Sequence, residues 1–275
     1  MRYHSIICSA KIFPGGVLLR ILFLGDVFAK AGRRAVTKRL RALAEKHGAD
    51  FVIANGENAS HGRGLSLSAA RELYEAGVDF ITLGNHTWSN NGIFDIIEDS
   101  PMVRPANFSS SLPGKGYAVV QTPCGPVGIL NLQGRVYMDP VDNPFDQALA
   151  CVQAMQRETN VIIVDFHAEA TSEKIALAYY LDGQVTAVVG THTHVQTADE
   201  RILPGGTAFI SDVGMCGPVN SIIGMDPGLV MNKFVYALPR RFEPAKGEAQ
   251  VNAVLIETDP ASGTAAGITR IFERM

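Results

Sequence analysis

The sequence has few of the features that would mark a disulfide-stapled, membrane-spanning or strongly basic protein. Its four cysteines, Cys8, Cys124, Cys151 and Cys216, are far apart and form no C-x-x-C pair, which predicts reduced thiols in a cytosolic protein. No apolar run approaches the roughly 20 residues of a membrane-spanning helix. The formal net charge of -3 gives no overall attraction to nucleic acid or to anionic membranes. We therefore expect a cytoplasmic protein without membrane contact and without evident binding of double-stranded nucleic acid.

Length and composition predict one globular domain. The chain has 275 residues, of which 47% are hydrophobic and 19% are charged, and that length is near the upper limit of a single core. The basic and apolar N-terminus is similar to a signal peptide, but its apolar run is interrupted at Lys11, Pro14, Gly15 and Gly16. Residues 17–24 then lead directly into Gly25 and Asp26, so cleavage there would remove the first strand. We expect no export, an N-terminal appendage over residues 1–16, and a single domain over residues 17–275.

Buried-strand patterns alternate with helical patterns along most of the chain. The strand patterns cover residues 20–26, 50–58, 79–86, 160–169 and 184–194. The helical patterns cover residues 34–48, a segment capped by Ser66, and residues 171–181. Two further segments, 116–134 and 249–274, have the turn residues of hairpins. This alternation predicts an α/β protein with a mixed sheet system and no internal repeat.

Polar side chains follow the predicted strands at the point where each strand ends. They are Asp26, Glu57, Asn58, Asn85, His86, His167, His192 and His194. Ligands of open α/β folds bind beyond the carboxyl ends of the strands, so five chain segments would deliver these groups to one edge. If the last segment continues as a strand, His192 and His194 point to the same face. Each residue alone has a structural explanation, but together they predict a metal site.

The types of these side chains restrict the metal. Oxygen and imidazole ligands without thiolate argue against iron–sulfur clusters and cysteine-rich zinc sites. Together these candidate ligands exceed the three or four of a single catalytic zinc. They suffice for two divalent cations roughly 3.5–4 Å apart, which could hold a bridging hydroxide and clamp a phosphoryl group. Iron, manganese, zinc and cobalt all fit, and the ligand types do not choose among them.

Five motifs together resemble a known family. The segments "GDV", "NGEN", "TLGNHTW", "VDFHAEATSEK" and "GTHTHVQTAD" are similar to the calcineurin-like metallophosphoesterases, and more narrowly to their bacterial YmdB-type branch. The resemblance extends from about Leu19 to the C-terminus. The D-x-H motif of the wider superfamily is absent, because Val27 and Phe28 follow Asp26, and the YmdB-type branch shares this departure. The resemblance implies a sandwich of two packed mixed β-sheets flanked by helices.

The resemblance also implies roles for the polar residues at the strand ends. One metal would be held by Asp26, Glu57, Asn58 and His194. The other would be held by Glu57, Asn85, His167 and His192, with Glu57 bridging the two. The imidazole of His86 would be the general acid that protonates the leaving alkoxide.

The function that the resemblance implies is hydrolysis of 2′,3′-cyclic nucleotides to nucleoside monophosphates by a dinuclear phosphodiesterase, through a metal-bridging hydroxide. The partner is then a small cyclic nucleotide or another phosphodiester. The chemistry suits any phosphodiester, so the cyclic substrate depends on the resemblance alone. Three alternatives stay open: a broad phosphomonoesterase with the same site, a regulatory protein with a mainly structural metal site, and a mononuclear amide hydrolase. RNA ends as substrates and a homo-oligomeric state also stay open.

Other polar residues have two interpretations each. Glu169 could orient a metal-bound histidine or cap the helix that starts near Thr171. Arg104 could contact phosphate or fix a loop. For His61 we expect a loop position without a role in the site, and for Trp88 we expect packing.

Overall fold

The computed structural model describes residues 12–13 and 16–275. Cys8 and most of the predicted N-terminal appendage lie outside the described residues, so the boundary at residue 16 stays a prediction. The first described segments, β1 (Ile12–Phe13) and β2 (Gly16–Val17), pair antiparallel in a two-stranded sheet. In the part of the chain that the structure describes, no helix is long and apolar enough to cross a membrane.

Strands and helices alternate along the rest of the described chain, as predicted. The strands are β3 (Leu19–Leu24), β4 (Asp26–Val27), β5 (Phe51–Asn55), β6 (Phe80–Thr82), β7 (Met102–Val103), β8 (Tyr117–Thr122), β9 (Gly125–Gln133), β10 (Ile162–His167), β11 (Ala187–Thr191), β12 (Arg201–Ile202), β13 (Ala208–Ile210), β14 (Met215–Pro218), β15 (Ala249–Thr258) and β16 (Ala265–Arg274). The helices are α1 (Ala29–His47), α2 (Leu67–Ala76), α3 (Pro144–Met155), α4 (Thr171–Tyr180), α5 (Pro227–Tyr236) and the 3₁₀ helix at Asn91–Asp95.

The longer strands form two mixed sheets. In the first sheet the order is β4-β14-β15-β3-β5-β6-β7, with β16 paired to β15. In the second sheet the order is β12-β13-β11-β10-β9-β8. The central neighbours β3, β5 and β6 are parallel, as are β9, β10 and β11. Both predicted hairpins are confirmed, because β8 pairs antiparallel with β9 and β15 pairs antiparallel with β16.

The two sheets pack face to face, and helices cover their outer faces. Strand β3 shows the arrangement, since successive side chains of a strand point to opposite faces. Leu22 and Leu24 lie in the cluster that includes buried residues of α1 and α2, while Ile21 and Phe23 lie between the sheets with Ile163 of β10. Helices α3 and α4 cover the outer face of the second sheet. The predicted α/β sandwich of two mixed sheets flanked by helices is confirmed.

Local sequence signals, a capping serine and a terminal glycine, determine the ends of two helices. Ser66 caps α2 by accepting a hydrogen bond from the backbone N–H of Ala69 at 3.3 Å, and Gly48 ends α1 with a φ of 62°. Helix α1 begins at Ala29, five residues before the predicted 34. Helices α3 and α5 were not predicted. In α5 only Val230 is buried, so most apolar residues of this helix lie on the surface and not in the core.

One expectation about the cysteines is wrong. Cys124, in the turn between β8 and β9, is disulfide-bonded, whereas Cys151 and Cys216 are buried free thiols. A disulfide depends on the distance between two cysteines in space, which wide spacing in the sequence does not reveal. The cysteine pattern therefore no longer supports the predicted cytoplasmic location.

Candidate metal centre

The carboxyl ends of the parallel strands in both sheets meet at one edge of the sandwich. Asp26 begins β4, Glu57 and Asn58 follow β5, and Asn85 follows β6. From the second sheet, His167 is the last residue of β10, and His192 comes directly after β11. His194 lies in the same loop as His192. Contacts between side chains join all seven predicted ligands into one cluster, in two halves that meet at Glu57.

The first half, which we call the Asp26 half, contains Asp26, Asn58 and His194. The amide Nδ2 of Asn58 lies 3.3 Å from Oδ1 of Asp26 and 3.2 Å from Nε2 of His194. Nε2 of His194 is 3.6 Å from the same carboxylate oxygen of Asp26. All three side chains are at least nine-tenths buried. Asn58 also connects this half to Glu57, with 3.1 Å between Nδ2 and Oε1.

The second half, which we call the His167 half, contains His167, Asn85 and His192. Three groups surround Nε2 of His167: Oε1 of Glu57 at 3.0 Å, Oδ1 of Asn85 at 2.9 Å and Nδ1 of His192 at 3.0 Å. One ligand atom each of Glu57, His167 and His192 lies within 4.8 Å of the others, a grouping that could hold a metal ion.

The cluster fits divalent cations in its chemistry as well as its spacing. Asn58 is 2% exposed, and its Oδ1 has no hydrogen-bond partner among the residues that the structure describes. A 180° rotation of the amide would place this oxygen where Nδ2 now lies, among carboxylate and imidazole ligand atoms. Such a convergence of acceptors is stable only around a cation. The residues at this edge therefore suit oxygen- and nitrogen-preferring metals.

A hydrogen-bond chain behind His167 sets its tautomer. The hydroxyl of Thr191 lies 2.7 Å from Oδ1 of Asp165, which can only accept, so the hydroxyl donates to this carboxylate. The same hydroxyl is 2.8 Å from Nδ1 of His167 and must accept from it. His167 therefore keeps a proton on Nδ1, and its Nε2 faces the cluster, where a bound cation would replace the second proton of the ring. Asp165 is held in turn by Thr82 and Asn55, at 2.6 and 3.0 Å.

The other two histidines are oriented by different partners. Nδ1 of His194 donates to the backbone carbonyl of Ile223 at 2.9 Å, which leaves Nε2 to face Asp26. Nε2 of His192 lies 3.2 Å from Oε2 of Glu169, which leaves Nδ1 to face His167. Glu169 thus contacts a histidine of the site. It does not cap α4, whose N-cap is Ala170 without a side-chain hydrogen bond.

The charges of the cluster favour a bound cation. Burial alone would raise the pKa of Asp26 and Glu57, but the histidines beside them lower the pKa of both carboxyls. Burial would lower the pKa of His167, yet the charge and hydrogen bond of Glu57 outweigh it and raise this pKa to about 9. Burial and the neighbouring His167 lower the pKa of His192 to about 3, so this imidazole is neutral. Two buried carboxylates thus attract positive charge into the site.

The expected reason for the His-x-His spacing is wrong. Strand β11 ends at Thr191, and His192 and His194 have positive φ angles of 102° and 67°. They therefore do not share one face of an extended strand. The backbone N–H of His192 donates to Asp26 at 3.1 Å, and the turn directs the two rings into different halves of the cluster.

Two residues that the sequence did not single out hold this turn. Oδ2 of Asp212 accepts from the backbone N–H of Thr193 at 3.0 Å and from Nζ of Lys174 at 2.8 Å. Its Oδ1 accepts from the N–H of Gly214 at 2.8 Å. Both charged side chains are almost fully buried. The available signal was weak: a lysine in a buried position of a helix, and an acidic residue after an apolar strand.

A glycine permits the close packing of the cluster. A Cβ atom on Gly84 would lie 2.5 Å from Cδ2 of His167 and would also collide with the carboxylate of Glu57. Only glycine therefore allows the chain after β6 to pass so close to His167 and Glu57.

His86 lies at the boundary between the cluster and a cavity of about 480 Å³. Its backbone N–H donates to Oε2 of Glu57 at 2.8 Å, and its half-buried ring lines the cavity. Burial lowers the pKa of His86, although the charge of Glu57 opposes that shift. The cavity also contains apolar and basic groups that could contact a substrate: Phe28, Arg63, Lys233, Phe234 and Phe242.

The remaining candidates lie outside the cluster. Arg104 donates to the backbone carbonyls of Pro105, Leu112 and Pro113 and so fixes a loop. Trp88 stacks on Phe94 with 5.5 Å between ring centroids, as expected for packing. His61 is exposed in the loop after β5.

Comparisons with known proteins identify relatives that match most of the chain. Residues 22–271 match the family model of YmdB-like proteins. A 2′,3′-cyclic-nucleotide 2′-phosphodiesterase of Bacillus subtilis (strain 168) is 48% identical over 255 residues, which cover 92% of this chain and 97% of the relative. Among solved structures, a phosphatase of Mycoplasma pneumoniae is 40% identical with a TM-score of 0.88, and the match covers 94% of each chain. A Thermus thermophilus protein has the same TM-score and identity, over 93% of this chain and 99% of its own.

Proposed function

The chain belongs to the YmdB-like family, and from this premise we propose that it is a metal-dependent phosphodiesterase that hydrolyses 2′,3′-cyclic nucleotides. The resemblance to the YmdB-type branch of the metallophosphoesterases is confirmed by the family match and by the phosphatase structure. The observation that carries the proposal is the cluster of seven side chains with oxygen and nitrogen donor atoms, five of them buried, beside a cavity of nucleotide size.

We propose two divalent cations per chain, with iron or manganese as first candidates and zinc or cobalt as alternatives. The Asp26 half would hold one cation and the His167 half the other, with Glu57 between them. When bound, the cations would activate the attacking water and stabilise the charge that develops on the phosphate.

The protein's own groups orient the ligands before any cation arrives. Thr191 and Asp165 keep the proton of His167 on Nδ1, and the carbonyl of Ile223 does the same for His194. Both Nε2 atoms then face the cluster, where binding of a cation would displace their protons. Fixed tautomers avoid a reorganisation that would otherwise reduce metal affinity.

His86 is placed to supply the proton that the reaction needs. In hydrolysis, water oxygen bonds to phosphorus, the bond from phosphorus to a ribose oxygen breaks, and that oxygen takes up a proton. The ring of His86 faces the cavity from the residue next to Asn85. Burial lowers the pKa of His86, and the negative charge of a bound phosphodiester would favour its protonated form.

The cavity suits a nucleoside attached to the phosphate. Phe28 packs against His194 with 5.5 Å between ring centroids and forms a buried part of the cavity wall beside the Asp26 half. Arg63 and Lys233 bring positive charge, and Phe234 and Phe242 add aromatic surface on the same cavity. Stacking on aromatic rings accommodates any base, so we expect weak base preference.

The test is turnover of 2′,3′-cyclic AMP by metal-reconstituted protein, beside a simple aryl phosphate monoester. We expect preference for the cyclic diester. Glu57→Ala should lose both metal and activity, whereas His86→Ala should retain metal and lose about 10²–10⁴ in turnover. Metal content is measured on the same samples, so the two variants separate ligation from proton transfer.

Each rival function predicts a different result. Preference for the monoester would contradict the cyclic substrate and favour a phosphomonoesterase with the same site. Two bound metals without turnover of either substrate would favour a regulatory protein. One metal per chain would contradict the dinuclear site. Unchanged turnover in His86→Ala would remove the role of His86.

A further inference from the structure

A second groove of about 450 Å³ opens next to the catalytic cavity, and four cations lie among its otherwise mostly apolar lining residues. Its basic lining residues are Lys30, Arg34, Lys38 and Lys246, all exposed, and we call it the cationic groove. Among its described lining residues, Glu248 carries the opposing side-chain charge. The whole protein has a net charge of -3, so this concentration of cations is local.

Three of the four cations occupy one face of α1. Lys30, Arg34 and Lys38 are spaced i, i+4, i+8, and like charges at that spacing destabilise a helix. Two other cations of α1 are paired, Arg33 with Glu72 and Lys46 with Glu273, whereas Arg39 and Arg41 form no ion pair with any residue that the structure describes. None of the four groove cations forms an ion pair with any residue that the structure describes. Their charge is therefore available to an anion from solution.

The beginning of α1 adds to this positive field. Residues 29–31 line the groove, the first turn of this 19-residue helix has no acidic residue, and no side chain caps it. Backbone N–H groups at a helix N-terminus carry partial positive charge and favour anions such as phosphate. The helix terminus and the stacked cations thus act in the same direction.

The groove and the catalytic cavity share a wall. Phe28 and Gly62 line the cavity, while their chain neighbours Ala29 and His61 line the groove. The backbone N–H of Ala29 donates at 2.9 Å to the carbonyl of Asn58, a proposed metal ligand. The cavity and the groove are therefore adjacent, with the chain at residues 28–29 and 61–62 between them.

We propose that the cationic groove binds the phosphodiester backbone of single-stranded RNA whose 3′-terminal 2′,3′-cyclic phosphate lies in the catalytic cavity. This inference rests on the proposed function, since it extends the substrate from a cyclic mononucleotide to an RNA end. Cyclic 2′,3′-phosphates form when a ribose 2′-hydroxyl attacks the adjacent phosphodiester of RNA, so strand cleavage is the class of reaction that supplies such ends. Unpaired cations along a groove are the usual contacts for backbone phosphates.

The test measures binding without catalysis. A labelled RNA of about eight nucleotides with a 2′,3′-cyclic phosphate end is titrated with metal-free protein in chelator, and anisotropy gives the Kd. The triple variant Lys30→Ala, Arg34→Ala, Lys38→Ala should raise Kd at least about tenfold. On a single strand, each lost phosphate contact lowers the slope of log Kd against log salt by roughly 0.7. Loss of three contacts should therefore lower this slope by about 2.

A matched variant controls for net charge. Arg71→Ala, Lys115→Ala and Arg157→Ala together also remove three exposed cations, and none of these residues lines the groove. This variant should bind RNA as the wild type does. Equal Kd values for the two triple variants would overturn the inference.

A second measurement separates failure of the inference from failure of the proposed function. Metal-loaded wild type and both triple variants are assayed with 2′,3′-cyclic AMP, which extends no backbone into the groove and should be hydrolysed equally by all three. If the wild type hydrolyses it but groove substitution leaves RNA binding unchanged, only the RNA inference fails. If the wild type does not hydrolyse it and RNA binding still needs the groove, the proposed function fails and the groove assignment stands.

Discussion

The two halves of the candidate metal centre use different structural support for the same purpose. In the His167 half, the central histidine ends a regular strand, and side chains of neighbouring strands fix its ring. In the Asp26 half, His194 lies in a turn with a positive φ of 67°, and a backbone carbonyl fixes its ring. The turn itself is held by the buried pair of Asp212 and Lys174. A strand position needs only a side-chain partner, whereas a loop position needs its backbone held as well.

The largest expected effect comes from breaking the support of the turn. Lys174→Met leaves the buried carboxylate of Asp212 without a countercharge, which should lower the free energy of unfolding by about 3–5 kcal/mol. Urea denaturation of metal-free protein measures it. The control is Lys46→Met, because Lys46 is 63% exposed and its pair with Glu273 should contribute about 1 kcal/mol or less. Equal losses in both variants would show that the buried pair does not support the turn.

The next-largest effect is expected when the hydrogen-bond chain behind His167 is broken. Thr191→Val removes the hydroxyl between Asp165 and His167, while Thr82 and Asn55 still donate to the carboxylate. Metal affinity should fall by about 10–100-fold, the usual consequence of losing a group that orients a metal-binding histidine.

Two variants at threonines make this second test specific. Thr191→Ser should restore the affinity because it keeps the hydroxyl. Thr193→Val is the matched control in the other half, since Thr193 supports the turn through its backbone N–H, which valine retains. Competition with a metal-binding dye gives the affinities. Equal losses for the valine variants at 191 and 193 would contradict the assigned role of the Thr191 hydroxyl.

A smaller effect is expected at the exposed partner of His192. Glu169 is 48% exposed, so solvent screens its contact with the imidazole, and Glu169→Gln should change metal affinity by at most about fivefold. The same dye competition measures it. A loss as large as that of Thr191→Val would mean that the partner of His192 matters as much as the buried chain behind His167.

The smallest effect concerns acid stability of the segment that follows His194. Burial would raise the pKa of Asp199, but hydrogen bonds from Ser211 and Thr197 lower it below the ordinary value. The ionised Asp199 carboxylate therefore stabilises the folded protein above about pH 4. This contribution is lost as pH falls through the lowered pKa of Asp199 in the folded state. Asp199→Asn should show a shallower loss of urea stability than wild type below about pH 4. Parallel pH profiles would contradict this contribution.

Several features could be predicted from local signals. The apolar strands, the cap at Ser66 and the turn residues of both hairpins placed most elements, because each signal acts within a few residues. The polar residues at the strand ends indicated the candidate site, because parallel strands bring their carboxyl ends to one edge. Proposed metal ligation by these residues stays a prediction, although the structure brings all seven together.

Other features depend on residues distant in sequence. The pair between Lys174 and Asp212 joins α4 to the segment after β13. The disulfide at Cys124 and the positive φ angles at His192 and His194 likewise left no local pattern. The cationic groove could not be predicted from the sequence for the same reason. The i, i+4 spacing places Lys30, Arg34 and Lys38 on one helix face, but only the fold places Lys246 in the same groove.

By itself, the sequence determined which side chains would be available and at which strand ends they would lie, because alternation of apolar strands and helices fixes a parallel arrangement. Only the tertiary structure decided which ring nitrogen faces the cluster, how the turn after β11 separates His192 from His194, and which surface next to the cavity is positive. Those properties arise from contacts between segments far apart in sequence, such as the hydrogen bond from His192 to Asp26, which joins residues 166 positions apart. Local propensity contains no information about contacts at that distance.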